Sequence, residues 1–142
     1  MGMYTELNLT FSLEKDTPIQ VYNILNYMIN GGKFIFDIPN HKLFNTEDLR
    51  WEIMLNCTSC YFTDIVASKI ELHKCGDYTS VHCHSNFKNY EDEIELFIDW
   101  IKSYIHNHDG EKLFLGYSRY EEDENPILYY LYNNNIINKK ED

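Results

Sequence analysis

Basic residues are scarce in this chain of 142 residues, where twelve lysines and arginines stand against twenty-three aspartates and glutamates, a formal charge of −11. Such a charge repels nucleic-acid phosphates and anionic membranes, so nonspecific binding to either is disfavoured. Only Arg50 and Arg119 are arginines, which argues against a multi-arginine phosphate clamp within one subunit, although a symmetric oligomer can bring several copies of one arginine to a ligand. The acidic balance suits a partner with a basic surface, such as a nucleic-acid-binding protein; many soluble proteins are acidic merely for solubility.

Long apolar runs are also missing. No uninterrupted stretch approaches the roughly 20 residues needed to span a bilayer, and Met1–Glu6 lacks a basic region followed by an apolar one. We therefore expect a soluble, cytoplasmic protein. The chain also lacks a glycine-rich phosphate loop, a nucleophile elbow and a spaced Ser/His/Asp grouping. We accordingly assign no catalytic residue and no cofactor from the sequence.

The clearest periodicity lies between Tyr78 and Tyr132. It predicts a long amphipathic helix over Tyr90–His106, because five apolar residues recur at the spacing that puts them on one stripe of a helix. These residues are Ile94, Phe97, Ile98, Ile101 and Ile105. Asn89 is the expected N-cap, since its side-chain oxygen can accept from a free amide of the first turn. Trp100 lies beside the stripe, where it either flanks the core or faces a partner.

Alternating apolar and polar residues predict the strands, and turn residues separate them. A first helix is expected between Pro18 and Gly31, and hairpin turns at Gly76–Asp77 and at 121–126. The predicted strands are 5–13, 34–38, 50–56, 70–75, 78–87, 113–120 and 127–132. This order predicts an α+β fold, a largely antiparallel β-sheet with two helices packed on one face. Residues 1–132 would form a single domain, and residues 133–142 a frayed C-terminal tail.

Four cysteines form a possible metal site: Cys57 and Cys60 have the spacing of a zinc knuckle, and Cys75 and Cys83 follow on two strands. The second pair is not a knuckle, and Cys83 shares the strand face of Val81, which is typical of core packing. Buried or half-exposed cysteines in a reducing cytoplasm are the plainer interpretation, and we therefore assign no metal. A redox role for Cys57 and Cys60 is the third alternative.

His82 and His84 are two apart on a predicted strand and so share a face. They can ligate a metal or pair with carboxylates, but alternating polar residues on a solvated sheet face explain them without either.

The last predicted hairpin carries the residues that we favour as a binding site. Glu121, Glu122, Asp123 and Glu124 lack the spaced oxygens and glycine of a calcium loop, and either form a solvated tip or present carboxylates to a partner. The neighbouring aromatic residues are Tyr117, Tyr120, Tyr129, Tyr130 and Tyr132, with Arg119 among them. Tyrosine and arginine are enriched in interface centres, although tyrosine is also ordinary strand content. Stacking of a nucleotide base on these rings stays open.

Two runs, NFKNYEDEIELFIDWIK at 86–102 and FLGYSRYEEDENP at 114–126, resemble small uncharacterised proteins encoded by phages and prophages. The opening Tyr4–Glu6 and the turn Lys15–Pro18 are similar as well, so the resemblance covers most of the chain. Cys57 and Cys60 are not part of that pattern. By association, the resemblance implies counter-defence or host takeover in a bacterial cytoplasm, and it assigns no active residue.

The leading hypothesis is a non-enzymatic phage accessory protein that inhibits a bacterial defence component, for example a CRISPR or other nucleic-acid-targeting effector, by binding it. Its contact would be formed by residues 121–124 with Tyr117, Arg119 and Tyr120. The second hypothesis is an oligomeric protein that sequesters a nucleotide immune signal, with Arg50 or Arg119 at subunit junctions. The third is a small metal-dependent hydrolase.

Overall fold

Six strands form one antiparallel sheet in the computed structural model, which describes residues 3–34, 37–58, 68–72, 78–107 and 110–140. The strands stand in the order β2-β3-β1-β4-β5-β6 across the sheet. Their bounds are β1 Thr5–Leu13, β2 Lys69–Leu72, β3 Thr79–Phe87, β4 Leu113–Tyr120, β5 Ile127–Tyr132 and β6 Asn135–Lys140. The second-last hairpin, β4 with β5, has the predicted bounds.

In the described part of the chain, two α-helices accompany the sheet, α1 at Ile19–Asn30 and α2 at Glu93–Ile101. Short 3₁₀ helices follow at Lys42–Asn45, Arg50–Ile53 and Lys102–Tyr104. The apolar residues of both α-helices join one core with the alternate residues of β1, so both helices cover the same face of the sheet. The chain therefore has the predicted α+β fold. Within the described residues, no helix is both long enough and apolar enough to cross a membrane.

Apolar and polar residues alternate strictly along the central strand β1, so that one of its faces is buried in the core. Leu7, Leu9, Phe11 and Leu13 are buried, and the residues between them face the other side of the sheet. Fully burying side chains of this kind contributes about 1.5–3 kcal/mol each before entropy costs. β1 pairs with β3 along its whole length and with β4 along its first half, so its apolar face forms the floor of the core.

Helix α2 confirms the predicted stripe but is shorter than expected, because its last turn narrows to a 3₁₀ helix. The N-cap is Asp92 and not Asn89 as expected, although the side-chain oxygen of Asn89 accepts from the first-turn amide of Ile94 at 3.0 Å. Trp100 is buried and packs edge-on against Phe44, with ring centroids 5.1 Å apart. It therefore extends the core and does not face a partner.

The strand expected at 50–56 is wrong. Trp51, Met54 and Leu55 are buried, and their spacing of three and four residues matches one side of a helical turn instead of the alternation of a strand. Of the strand expected at 34–38, Phe34, Asp37 and Ile38 belong to none, and residues 35 and 36 lie outside the described residues. Phe34 instead packs on Tyr27, with centroids 5.4 Å apart. The predicted turn at Gly76–Asp77 also lies outside the described residues, although β2 and β3 pair as it requires.

The frayed tail expected after Tyr132 is also wrong over most of its length. Asn133 and Asn134 both have positive φ, at 52° and 62°, which is the backbone of a type I′ turn and one that asparagine tolerates. The turn folds β6 back on β5 in register from Tyr132 with Asn135 to Ile127 with Lys140. The sheet therefore extends beyond the predicted boundary at residue 132.

Candidate functional site

The sheet face opposite the helices carries polar residues from β1, β3 and β4. His82 and His84 share this face as expected; His82 lies 2.8 Å from the Thr10 hydroxyl and His84 lies 3.7 Å from a Glu6 carboxylate oxygen. Burial and the neighbouring charge of His84 lower the pKa of His82. Tyr117 stands on the same face, and burial together with Glu6 raises the pKa of its hydroxyl.

The cysteines form no site within the described residues. Cys83 is fully buried beside Val81, which confirms the core prediction, and burial raises the pKa of its thiol to about 12. Cys57 is a half-buried free thiol. Cys60 and Cys75 lie outside the described residues, so the zinc alternative is untested and the assignment of no metal stays a prediction. Among the residues that the structure describes, no group of three or more His, Cys, Asp or Glu side chains is arranged to hold a metal ion.

Three loops that carry carboxylates lie at the end of the sheet where β1 begins and where β3 and β4 end. We call this region the acidic end and define it as loops 46–49, 88–92 and 121–126. Glu91 joins the first two loops, because its two oxygens accept from the backbone amides of Glu47 and Asp48 at 3.2 and 3.5 Å. The third loop is tied to β1, since the amide of Glu121 donates to the carbonyl of Tyr4 at 3.0 Å.

Arg50 lies next to the acidic end, and its guanidinium makes contacts within the fold. Its Nε is 3.7 Å from Oε2 of Glu93, whose side chain is 0% exposed. The guanidinium donates to the carbonyl of Lys88 at 2.9 Å and lies over the rings of Phe87 and Tyr90, with Cζ 4.9 and 5.0 Å from their centroids. Glu93 also accepts from the amide of Glu91 at 2.9 Å. Arg50 therefore neutralises a buried carboxylate and holds loop 88–92 in place.

A pocket of about 270 Å³ opens at the acidic end between the start of α2 and strands β4 and β5. We call it the tyrosine pocket, because Tyr90 and Tyr120 both line it. Its other lining residues are Met3, Thr5, Asn89, Glu95, Ser118, Asp123 and Ile127. The pocket therefore combines aromatic walls with carboxylates drawn from helix α2 and from the acidic tip.

Glu95 holds an unusual position in this pocket. The residue is exposed as a whole, yet partial burial of its carboxyl raises its pKa against the opposing hydrogen bond from Asn89, and Asp92 and Glu93 add to the rise. The amide nitrogen of Asn89 donates to both carboxylate oxygens, at 2.8 and 3.0 Å. Glu95 also lines a second cavity of about 180 Å³ with Tyr129 on the other side. The carboxylate therefore stands between two recesses.

The floor of the tyrosine pocket is fixed by a buried hydrogen bond. The hydroxyls of Ser118 and Tyr129 are 2.8 Å apart, and both residues are buried. Burial raises the pKa of Tyr129 to about 12, so its hydroxyl stays protonated at neutral pH. Because these two hydroxyls are uncharged and bonded to each other, the charge of the pocket comes from its carboxylates.

The sequence-predicted site residues divide between two surfaces. Tyr120 and residues 121–124 lie at the acidic end, whereas the register of β1 and β4 puts Tyr117 and Arg119 on the opposite sheet face. Arg119 still reaches the tip, donating to the carbonyl of Asp123 at 3.2 Å.

Sequence reasoning missed Tyr90 and Glu95 as pocket residues, because both lay in the part of the chain that predicted a helix. One signal was available, for Glu95 alone: it lies outside the apolar stripe, and so on the side of α2 that faces away from the core.

Comparison with known proteins adds no relationship to these observations: the chain matches no protein-family model, no curated protein and no solved structure.

Proposed function

We propose that this chain is a binding protein whose acidic end engages a basic surface on a partner protein and that it acts without catalysis. The observation that carries the proposal is a pocket lined by two tyrosines and by the carboxylates of Glu95 and Asp123, at the end of the sheet where three acidic loops lie. Aromatic residues supply contact area at interface centres, and complementary charge speeds association and selects the partner. The acidic charge suits a nucleic-acid-binding partner, and the resemblance to phage proteins implies a role in counter-defence, so we propose a component of bacterial defence in the host cytoplasm as the partner.

The ion pairs at the acidic end differ in how far they are exposed to solvent. Lys140 lies 3.6 Å from Asp123, but the two side chains are 57% and 36% exposed, and exposed pairs contribute little stability. A basic partner can replace Lys140 with a better-ordered and less hydrated contact. The internal ion pair of Arg50 with Glu93, in contrast, is shielded and belongs to the scaffold.

The proposal is tested by inhibition and capture with charge-reversed protein. In the test variant, Glu122→Lys and Glu124→Lys reverse two exposed charges of the acidic tip. In the control variant, Glu71→Lys and Glu111→Lys reverse two exposed charges away from that end. Both variants carry the same net charge, so a nonspecific effect of charge changes both equally.

We expect the tip variant to lose capture of its partner from host lysate and to lose inhibition of the defence system, while the control variant keeps both. Capture by the unaltered chain should also weaken as salt rises, because exposed charges are screened. Equal behaviour of the two variants, in either direction, contradicts the proposed surface.

A further inference from the structure

The tyrosine pocket has the chemistry of a site for an organic cation. We propose that it binds the guanidinium group of an arginine side chain on the partner protein, an inference that rests on the proposed function. A volume of about 270 Å³ lies just under the range of about 300–1,000 Å³ usual for pockets that hold whole small molecules. The pocket is thus suited to one inserted side chain.

The first argument is an imbalance of charge around Glu95. Two carboxylates near it along the chain have cations, since Glu93 has Arg50 at 3.7 Å and Asp99 has Lys102 at 2.8 Å, and Glu91 accepts from two backbone amides. Glu95 has no cation paired with it among the described residues; its carboxylate accepts from the neutral side-chain amide of Asn89 and from its own backbone amide. Each carboxylate oxygen can accept two hydrogen bonds, so one of the four places stays open to a donor from outside the chain.

The second argument is the pair of rings. A guanidinium stacks on aromatic faces and is attracted by their negative π-systems within about 6 Å of the centroid. The same chemistry already operates inside the fold, where Arg50 lies over Tyr90. Tyr120 and Tyr90 both line the pocket, and Tyr90 is 52% exposed. A cation that reaches Glu95 therefore passes aromatic surface.

Arginine fits this arrangement better than lysine. Asn89 already bridges the two oxygens of Glu95, so the preference comes from the planar shape of the guanidinium, which stacks on aromatic rings while it donates to a carboxylate, whereas an ammonium is a point charge. A guanidinium is also less strongly hydrated, so moving it from water into a recess costs less. Asp123 at the pocket rim adds a second carboxylate for the remaining donors.

Three capped peptides that differ in one side chain test the inference: Gly-Arg-Gly, Gly-Lys-Gly and Gly-citrulline-Gly. Citrulline keeps the shape of arginine and removes its charge. Binding is followed by NMR titration of the backbone amides of the full chain, so that weak affinities and the place of binding are both measured. Agmatine, a free guanidinium compound, serves as a fourth ligand that separates the group itself from its peptide context.

We expect the arginine peptide to shift the amides around Asn89–Glu95 and Ser118–Asp123, the lysine peptide to bind more weakly and the citrulline peptide not to bind. Glu95→Gln, which removes charge with little change of shape, should weaken the arginine peptide about tenfold. Glu122→Gln makes the same charge change on an exposed residue of the acidic end that does not line the pocket, and should weaken it less than twofold. Tyr120→Leu should also weaken it, whereas Tyr132→Leu, on an exposed tyrosine outside the pocket, should not.

Equal losses for Glu95→Gln and Glu122→Gln would show general attraction to the acidic end and would overturn the pocket assignment while leaving the proposed function intact. Absence of amide shifts in the pocket with the arginine peptide overturns it as well. Tighter binding of agmatine than of the peptide would identify a free guanidinium compound as the ligand and contradict a partner side chain. If the tip variant loses partner capture and Glu95→Gln has no effect on binding of the arginine peptide, the proposed function is supported and the pocket assignment is overturned.

Discussion

The buried ion pair between Arg50 and Glu93 allows a quantitative prediction about stability. Glu93→Gln removes the charge but keeps a carbonyl oxygen that can accept from the Glu91 amide. At 3.7 Å and an effective dielectric constant of about 20, the Coulomb attraction is about 4 kcal/mol. Part of it is offset, because Arg50 is 22% exposed and regains some hydration when its partner is neutral. We expect a loss of about 2–3 kcal/mol in the free energy of unfolding.

The chain contains its own probes for this measurement. Trp51 and Trp100 are only 1% and 6% exposed, so tryptophan fluorescence will report unfolding in urea. At about 4 °C per kcal/mol for a domain of this size, Tm should fall by about 10 °C. Glu71→Gln is the matched control: it breaks a pair with Lys69 at 3.6 Å whose side chains are 65% and 66% exposed. That change should stay within about 0.5 kcal/mol.

A double-mutant cycle with Arg50→Gln decides whether the pair itself is the cause. If the two side chains are coupled, the double variant is less destabilised than the sum of the single variants by more than about 1 kcal/mol. Additive effects, or a loss for Glu93→Gln no larger than that for Glu71→Gln, would refute the reasoning.

Three further predictions concern the scaffold. Gly116 has φ +142°, and a Cβ there would lie 1.9 Å from the backbone oxygen of Asn8. Gly116→Ala should therefore lower the free energy of unfolding in urea by about 3 kcal/mol or more. An unchanged urea midpoint would contradict the close approach of β4 to β1. Asn134→Val should weaken the turn before β6, because a β-branched residue is strained at φ 62°, whereas Asn134→Gly should keep or strengthen it; amide hydrogen exchange of β6 distinguishes the two, and equal protection would exclude the type I′ turn. Burial raises the pKa of Cys83 from 9.0 to about 12, so the thiol loses its proton in the unfolded chain at a lower pH than in the folded one. The free energy of unfolding should therefore fall as pH rises from about 9 towards 12, by at most about 1.4 kcal/mol per pH unit. In Cys83→Ala the urea midpoint should fall less steeply with pH, and an equal dependence on pH in the two proteins would argue against a protonated buried thiol.

The strands that the sequence predicts well are those whose burial alternates residue by residue. β1 and β3 are interior strands of the sheet with one face on the core, so period two is visible in their residues without knowledge of any neighbour. Helix α2 was found for the same reason at period 3.6. In these elements, the spacing of apolar residues alone shows which face is buried.

The failures come from structure that depends on local backbone angles or on distant residues. Residues 50–56 contain enough apolar side chains for a strand, but Trp51 packs on Phe44 with ring centroids 4.8 Å apart, and that contact favours a helical turn. β6 was missed because its turn, Asn133–Asn134, lacks the glycine that usually marks type I′. The tyrosine pocket could not be predicted, since Tyr90 and Tyr120 are brought together only by β4 pairing with β1 and β1 with β3.

The scarcity of arginine links the scaffold to the candidate site. One of the two arginines, Arg50, is committed to Glu93 and to the ring of Tyr90, and the other, Arg119, donates to a backbone carbonyl of the acidic tip. Neither is paired with Glu95, whose carboxylate is left with hydrogen bonds from an amide. A fold that buries one glutamate with its own guanidinium, and holds a second glutamate beside two tyrosines without one, is complementary to a guanidinium supplied by another molecule. The same interaction that stabilises the chain internally is thus the one that we propose for its contact with a partner.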